Sequence, residues 1–203
     1  MFERKHLVLL IVFFAVLICS ALNNEDYFTW LLEVAPGVIG VAILALTFKR
    51  FRFSYMTYVL ILLQCIVLFV GAKYTYAKMP LFEWITAYFS LARNNYDKVG
   101  HFIQGFVPAA ITRELIVRLK IVSKRGWMNF FVVCICLAVS AFYELIEWWA
   151  AALTGDSAEA FLGTQGYVWD TQSDMLMALI GASLFIILLS KVQDKAIAKE
   201  RGA

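Results

Sequence analysis

Three short stretches carry the side chains best suited to chemistry. Asp97 and His101 stand four apart in "NNYDKVGHFIQGF", Glu144 and Glu147 three apart in "YELIEWW", and Asp170 and Asp174 four apart in "WDTQSDM". On α-helices these spacings stack each pair on one face. Together they offer one imidazole and up to five carboxylates. Carboxylates gathered in a low-dielectric place repel and raise one another's pKa unless a cation sits among them. A divalent metal held by His and carboxylate oxygens is one solution, and such ligands suit zinc, manganese or iron. A shared proton is another. The plainer alternative is a wet, interfacial charge network with Lys73, Arg93 and Lys98 as partners. The catalytic candidates are His101, Glu144 and Asp174. The candidate metal ligands are His101, Glu144, Glu147, Asp170 and Asp174, with Asp97 in support. Ser173 is the one serine in these stretches and none holds a cysteine, so a water activated by metal is the better nucleophile. Lys98, about 100° around the helix from its neighbour, is expected to reach for lipid head groups.

The elements that must position these groups lie in a membrane. The chain has 203 residues, 62% hydrophobic and 16% charged, with mean hydropathy +0.75. Soluble domains carry about 25% charged residues, so that class is excluded. The net charge of +3 forms no basic stripe for nucleic acid. Cys19, Cys65, Cys134 and Cys136 all fall in apolar runs and read as small buried hydrophobes rather than a disulfide framework or zinc knuckle. Spans of about 17 to 25 residues are needed to cross the hydrocarbon core. They are predicted near 7–22, 30–48, 55–72, 99–119, 127–153 and 174–190, forming one polytopic domain over 1–203. The first could also be a signal peptide, with Cys19 and Ala21 as its small residues. Its length and the charge distribution favour a retained span. The second carries Glu33 and a Pro36-Gly37 pair that should kink it. The fourth is interrupted by Pro108, Arg113 and Glu114.

Fourteen of the 18 Lys and Arg residues gather on one side of these spans; the other side holds Lys73, Lys78, Arg93 and Lys98. By the positive-inside rule the first side, with both termini, is cytoplasmic. His101, Glu144 and Asp174 each lie 17 residues from a residue near the inner end of its own helix, namely Arg118, Trp127 and Lys191. At 1.5 Å per residue all three sit roughly 25 Å above the inner boundary, in the outer leaflet. In the outer loop 73–98, "PLFEWITAYFSLA" reads as an interfacial or re-entrant helix opened by proline. In the outer loop 154–170, the glycines of "GTQGYVWD" suggest a shaped turn. Trp30, Trp84, Trp148, Trp149 and Trp169 fit an outer aromatic belt. Gln64 fits a helix–helix hydrogen bond, and Arg113 and Glu114 fit groups snorkelling to the inner interface.

The stretches "YTYAKMP", "RNNYDKVGHFIQGF", "YELIEWW" and "FLGTQG-VWDTQSDM" together resemble the YjdF family of bacterial inner-membrane proteins, over essentially the whole chain. A more distant likeness is to VanZ-like membrane proteins. Their pattern Asp-Lys-x-x-His-Phe is matched by Asp97, Lys98, His101 and Phe102. Glu144 and Glu147 stand where that family has Glu-x-x-Gln. Asp174 and Gly181 match its last motif, where Ala178 replaces an asparagine. The likeness implies an envelope or lipid-linked role.

The expectation is therefore an all-α membrane protein: about six transmembrane helices, with an extra interfacial helix between the third and fourth. It would lie in the bacterial inner membrane with both termini cytoplasmic and an acidic pocket facing outward. Two function classes follow. One is a metal-assisted hydrolase or transferase acting on a lipid or lipid-linked head group; the other is a carrier of a small solute or cation. A non-catalytic envelope or stress-related role is a third. Carriers commonly hold their site at the midplane and show repeated halves, whereas these charges lie toward one face.

Overall fold

The structure, a computed structural model, describes residues 3–24, 26–154 and 167–201. Glu25, Asp156, Glu159 and the GTQG turn lie outside the described residues. Seven helices and no strand occur among those described: α1 Arg4–Ala21, α2 Tyr27–Thr47, α3 Tyr55–Lys73, α4 Pro80–Phe89, α5 Tyr96–Arg118, α6 Arg125–Thr154 and α7 Asp170–Arg201. The all-α expectation holds. Five of these helices (α1, α2, α3, α6 and α7) are long and apolar enough to cross a membrane.

Their faces follow the sequence pattern. On α1, His6, Phe13 and Ser20 are buried at seven-residue intervals, while Leu7, Ile11, Phe14 and Ile18 form an exposed apolar stripe. A helix exposing such a stripe is suited to lipid rather than water. The α2 helix is opened by Asp26, whose carboxylate accepts from the Phe28 and Thr29 amides at 3.0 and 3.1 Å and from the Thr29 hydroxyl at 2.7 Å. These bonds, the Thr29 hydroxyl foremost, hold the Asp26 carboxyl below its usual pKa. Lys73 ends α3 by donating to the Cys19 and Leu22 carbonyls at 2.9 and 3.0 Å, which satisfies the C-terminus of α1.

Helix α5, the long helix not among those five, lies at the centre, packed on α3, α6 and α7. Its closest partner is α7, because glycines bring the two backbones together. A Cβ on Gly105 would collide with the Ala178 backbone, and one on Gly181 would come within 2.9 Å of the Phe106 nitrogen. Small residues at such crossings are a common device in membranes. The small residue at 178 thus has a packing reason: its backbone is the surface that Gly105 meets.

Several expectations need correction. Arg113 and Glu114 do not snorkel; they are 1% and 0% exposed. Glu114 accepts from the Ser54 amide and hydroxyl at 2.7 Å each, from Thr57 at 2.6 Å and from Arg118 at 3.2 Å. Arg113 donates to Gln193 at 2.9 Å and to Asp194 at 2.5 Å, and Gln193 donates to the Ala110 carbonyl at 2.7 Å. Charged groups this deep are held by partners rather than by reach to water. Helix α7 is also longer at both ends than the 174–190 span, starting at Asp170 and keeping Gln193 and Ile197 buried beyond Ser190. Of the cysteines, all free, Cys65 and Cys136 are buried but Cys19 and Cys134 are exposed on outward faces.

Candidate functional site

The N-terminal ends of α2, α5 and α7 and the C-terminal halves of α3 and α6 surround a polar cavity of about 190 Å³. The early start of α7 places Asp170, Ser173 and Asp174 on one face, and the glycine crossing below presses that face against α5. His101 lies one turn above Gly105 and is 8% exposed. Its Nδ1 stands 3.6 Å from Glu144 Oε1, and its Nε2 stands 3.8 Å from Asp174 Oδ1. Neither His101 Nδ1 nor Glu144 Oε1, both buried, has a hydrogen-bond partner. His101, Glu144 and Asp174 can each offer a ligand atom within 4.8 Å of the others. The three helices thus bring the three catalytic candidates together. Glu147, one turn along α6 from Glu144, lines the same cavity.

Asp97 and Asp170 occupy a different electrostatic setting at the rim. Arg93 pairs with Asp97 and lies 2.5 Å from Asp170 Oδ2. Lys98 pairs with Asp170 and reaches Asp174 Oδ1 at 2.8 Å and Ser173 Oγ at 2.7 Å. The Lys98 ammonium therefore turns inward across the α5–α7 seam, contrary to the expectation that it reaches for head groups. Its four-carbon stem spans the angular offset that separates its Cα from the Asp97–His101 face. Tyr167 adds a ring 5.5 Å from Lys98 Nζ and 5.9 Å from the Arg93 guanidinium carbon.

Sequence reasoning missed several cavity residues. Glu33, 8% exposed on α2, faces the cavity with the Tyr76 hydroxyl as partner. A carboxylate three residues before a proline inside an apolar span was the available signal. Tyr76 comes from the turn after α3, where Thr75 and Tyr76 both take left-handed φ, 48° and 53°. Such strained positions concentrate at working sites. The Tyr76 ring occupies room left by two glycines: a Cβ on Gly71 would fall within 2.7 Å of Cε1, and one on Gly100 within 3.1 Å. Tyr143, Gln104 and Thr171 complete the polar wall, with Thr171 against Glu144 and Gln104 against His101. Gln64, expected in a helix–helix bond, lines the cavity floor with Pro36 and Pro108.

This arrangement separates two kinds of carboxylate. Asp97, Asp170 and Asp174 share two fixed cations, Arg93 and Lys98. The inner group of Glu33, Glu144 and Glu147 has an imidazole and hydroxyls for neighbours, and no Lys or Arg lines the cavity among the described residues. A small cation or a proton is the chemistry such a group can accommodate.

Comparison with known proteins agrees with the fold. The sequence profile of a family described as "Predicted membrane protein (DUF2238)" matches residues 5–195. The chain is 48% identical over 176 residues to "Inner membrane protein YjdF" of Escherichia coli (strain K12), covering 87% of this chain and 84% of that protein. No solved structure matches it. The VanZ-like likeness rests on the motif residues alone.

Proposed function

The chain belongs to the DUF2238 family of predicted membrane proteins, and from that premise we propose that it is an inner-membrane hydrolase or transferase using a divalent metal on lipid-linked head groups. In this reading α5, 23 residues or about 34 Å long, is the sixth crossing, made tolerable in the membrane by its central position. Helix α4, ten residues with no buried side chain and with Leu81, Trp84, Tyr88 and Phe89 exposed, lies in the outer interface. Both termini are cytoplasmic and the cavity opens outward.

One observation carries the metal assignment. His101 Nδ1 and Glu144 Oε1 are buried, unpartnered and 3.6 Å apart, with Asp174 beside them. Two unpaired polar atoms held face to face are costly unless a third group joins them. An imidazole with two carboxylates is a donor set for zinc, manganese or iron. When bound, the ion supplies Lewis acidity toward a phosphoryl or acyl oxygen and toward water. Glu147, one turn away, takes the proton from the attacking water or alcohol and returns it to the leaving group. Lys98 and Arg93 steady the rim.

The test is turnover. Purified protein incubated with inner-membrane lipid extract should release or exchange a head group, should stop on chelation and should resume on adding zinc, manganese or iron. His101→Ala should abolish it. Absence of any chelator-sensitive change in any lipid class overturns the enzymatic reading. Orientation is tested separately: alkaline phosphatase fused after Arg93 should be active and after Lys124 inactive.

Carriage of a small cation is the second reading, because the cavity floor reaches Gln64, halfway along α3. Metal-ion or proton uptake by proteoliposomes, without lipid turnover, would favour it.

A further inference from the structure

Below the polar cavity lies an apolar cleft of about 470 Å³ between α2, α3 and α5. The two spaces are adjacent, sharing Pro36, Gln64, Leu68 and Pro108 in their walls. Resting on the reading just given, we propose that one membrane lipid lies along α2, with its head group in the polar cavity and one acyl chain in this cleft.

The chemistry of the walls changes at the shared residues. Above Pro36 the α2 side presents Thr29 and Glu33; below it presents Gly40, Ile43 and Leu44, and the floor is closed by Phe51 and Phe53. No charged side chain lines the lower part among the described residues. An apolar slot in a bilayer takes hydrocarbon, and a polar cavity directly beside it suits a molecule that has both ends. The dimensions agree. Thr29 to Thr47 spans 18 residues, about 27 Å of helix, close to the ~30 Å hydrocarbon thickness. The portion below Pro36 is about 16 Å, roughly the depth of one leaflet's chains.

Gly40 shows that the slot is built rather than left over. Glycine in a membrane helix commonly lets a neighbour approach, and Gly37 does this: a Cβ there would lie 3.0 Å from the Phe69 ring on α3. One turn below, a Cβ on Gly40 would meet nothing within 4 Å. Gly40 therefore leaves space for something that is not another helix. Helix α2 permits this because it packs chiefly on α3, with a minor contact to α1.

The same geometry supplies a plug. Gly40→Trp, and the milder Gly40→Leu, place bulk at a position where a Cβ meets nothing within 4 Å. The full chain would be placed in nanodiscs of bacterial polar lipid containing phosphatidylethanolamine with a diazirine near the end of one acyl chain. Illumination and peptide mass spectrometry then locate the label. We expect label on Ile43, Leu44 or Ile111, falling at least tenfold in Gly40→Trp and partially in Gly40→Leu. Label on the outward stripe of α1, at Ile11 and Phe14, should stay unchanged and serves as the measure of bulk lipid. Lys98→Gln, which loosens the rim, should lower cleft labelling about threefold if one lipid joins both spaces. Cleft labelling no stronger than on α1 and indifferent to Gly40→Trp would overturn the chain seat. Labelling indifferent to Lys98→Gln would overturn the single bridging lipid. Metal content is read on the same samples and should match wild type in both Gly40 variants. Metal without Gly40-sensitive labelling defeats the chain seat alone. Gly40-sensitive labelling without metal defeats the proposed function alone.

Discussion

Helix α5 carries buried charge at both ends, and the two ends are treated in opposite ways. At the C-terminal end, Glu114 is fully buried and accepts four hydrogen bonds, while Arg113 and Gln193 tie α5 to α7. Among the described residues of that network, only Arg113 Nε lacks a partner. At the N-terminal end, His101 and Glu144 face each other with unpartnered atoms across a cavity. A satisfied network specifies how helices dock; an unsatisfied one beside open space is what the proposed ion would complete. The contrast lets the same class of substitution give opposite results at two sites on one scaffold.

The largest expected effect is at the C-terminal end of α5. Glu114→Ala strands the Ser54 amide and hydroxyl, Thr57 and Arg118 together, and breaking a buried network of this kind costs about 3–5 kcal/mol. Thermal unfolding in detergent should show it, without any change in metal affinity of the folded fraction. Lys98→Met is next. It removes the charge-assisted bonds to Asp170 and Asp174, each worth about 1.5–3 kcal/mol when shielded. A loss near the lower figure in the same melting assay would mark the rim as structural support for the site. Asp26→Ala removes the α2 cap and should cost about 1 kcal/mol. Because the folded Asp26 carboxyl titrates below its unfolded value, its stabilisation is complete above about pH 3.9 and fades as pH falls through the folded pKa. The wild type should therefore lose more stability on acidification than Asp26→Ala does, as seen in melts between pH 6 and 3. The smallest stability effect belongs to Glu144→Gln, which keeps volume and removes a carboxylate from a crowded acidic cavity. Melting should be unchanged or slightly raised in chelator, while metal-induced stabilisation disappears. A fall comparable to that of Glu114→Ala would erase the distinction between the two ends.

Much of the cavity cluster was legible from spacing. The i,i+3 and i,i+4 pairs and the equal 17-residue offsets placed His101, Glu144 and Asp174 at one depth, and the helices bring them within 4.8 Å. What one-dimensional spacing does not contain is rotation. The inward swing of Lys98 depends on where α7 begins and on the close α5–α7 approach at Gly105 and Gly181. Glu33 was visible as a carboxylate in an apolar span, yet its approach to the site depends on Tyr76, held by a left-handed turn and two glycines. Arg113 and Glu114 resembled interfacial charges because their partners Ser54, Thr57 and Gln193 lie 57 or more residues away in the chain and are ordinary polar residues in sequence. Hydropathy undervalued α5 for the same reason: a helix surrounded by other helices has no need of an apolar surface.

The most direct measurement is metal stoichiometry paired with thermal stability for wild type and His101→Ala. Protein purified without chelator should carry about one zinc, manganese or iron per chain by elemental mass spectrometry. Saturating metal at about 100 times its dissociation constant should add roughly 2.7 kcal/mol to wild-type stability. His101→Ala should fold, lose the metal and lose that stabilisation. Wild type carrying less than about a tenth of an equivalent, and melting identically with added metal and with chelator, would contradict the assignment of His101, Glu144 and Asp174 as a metal centre.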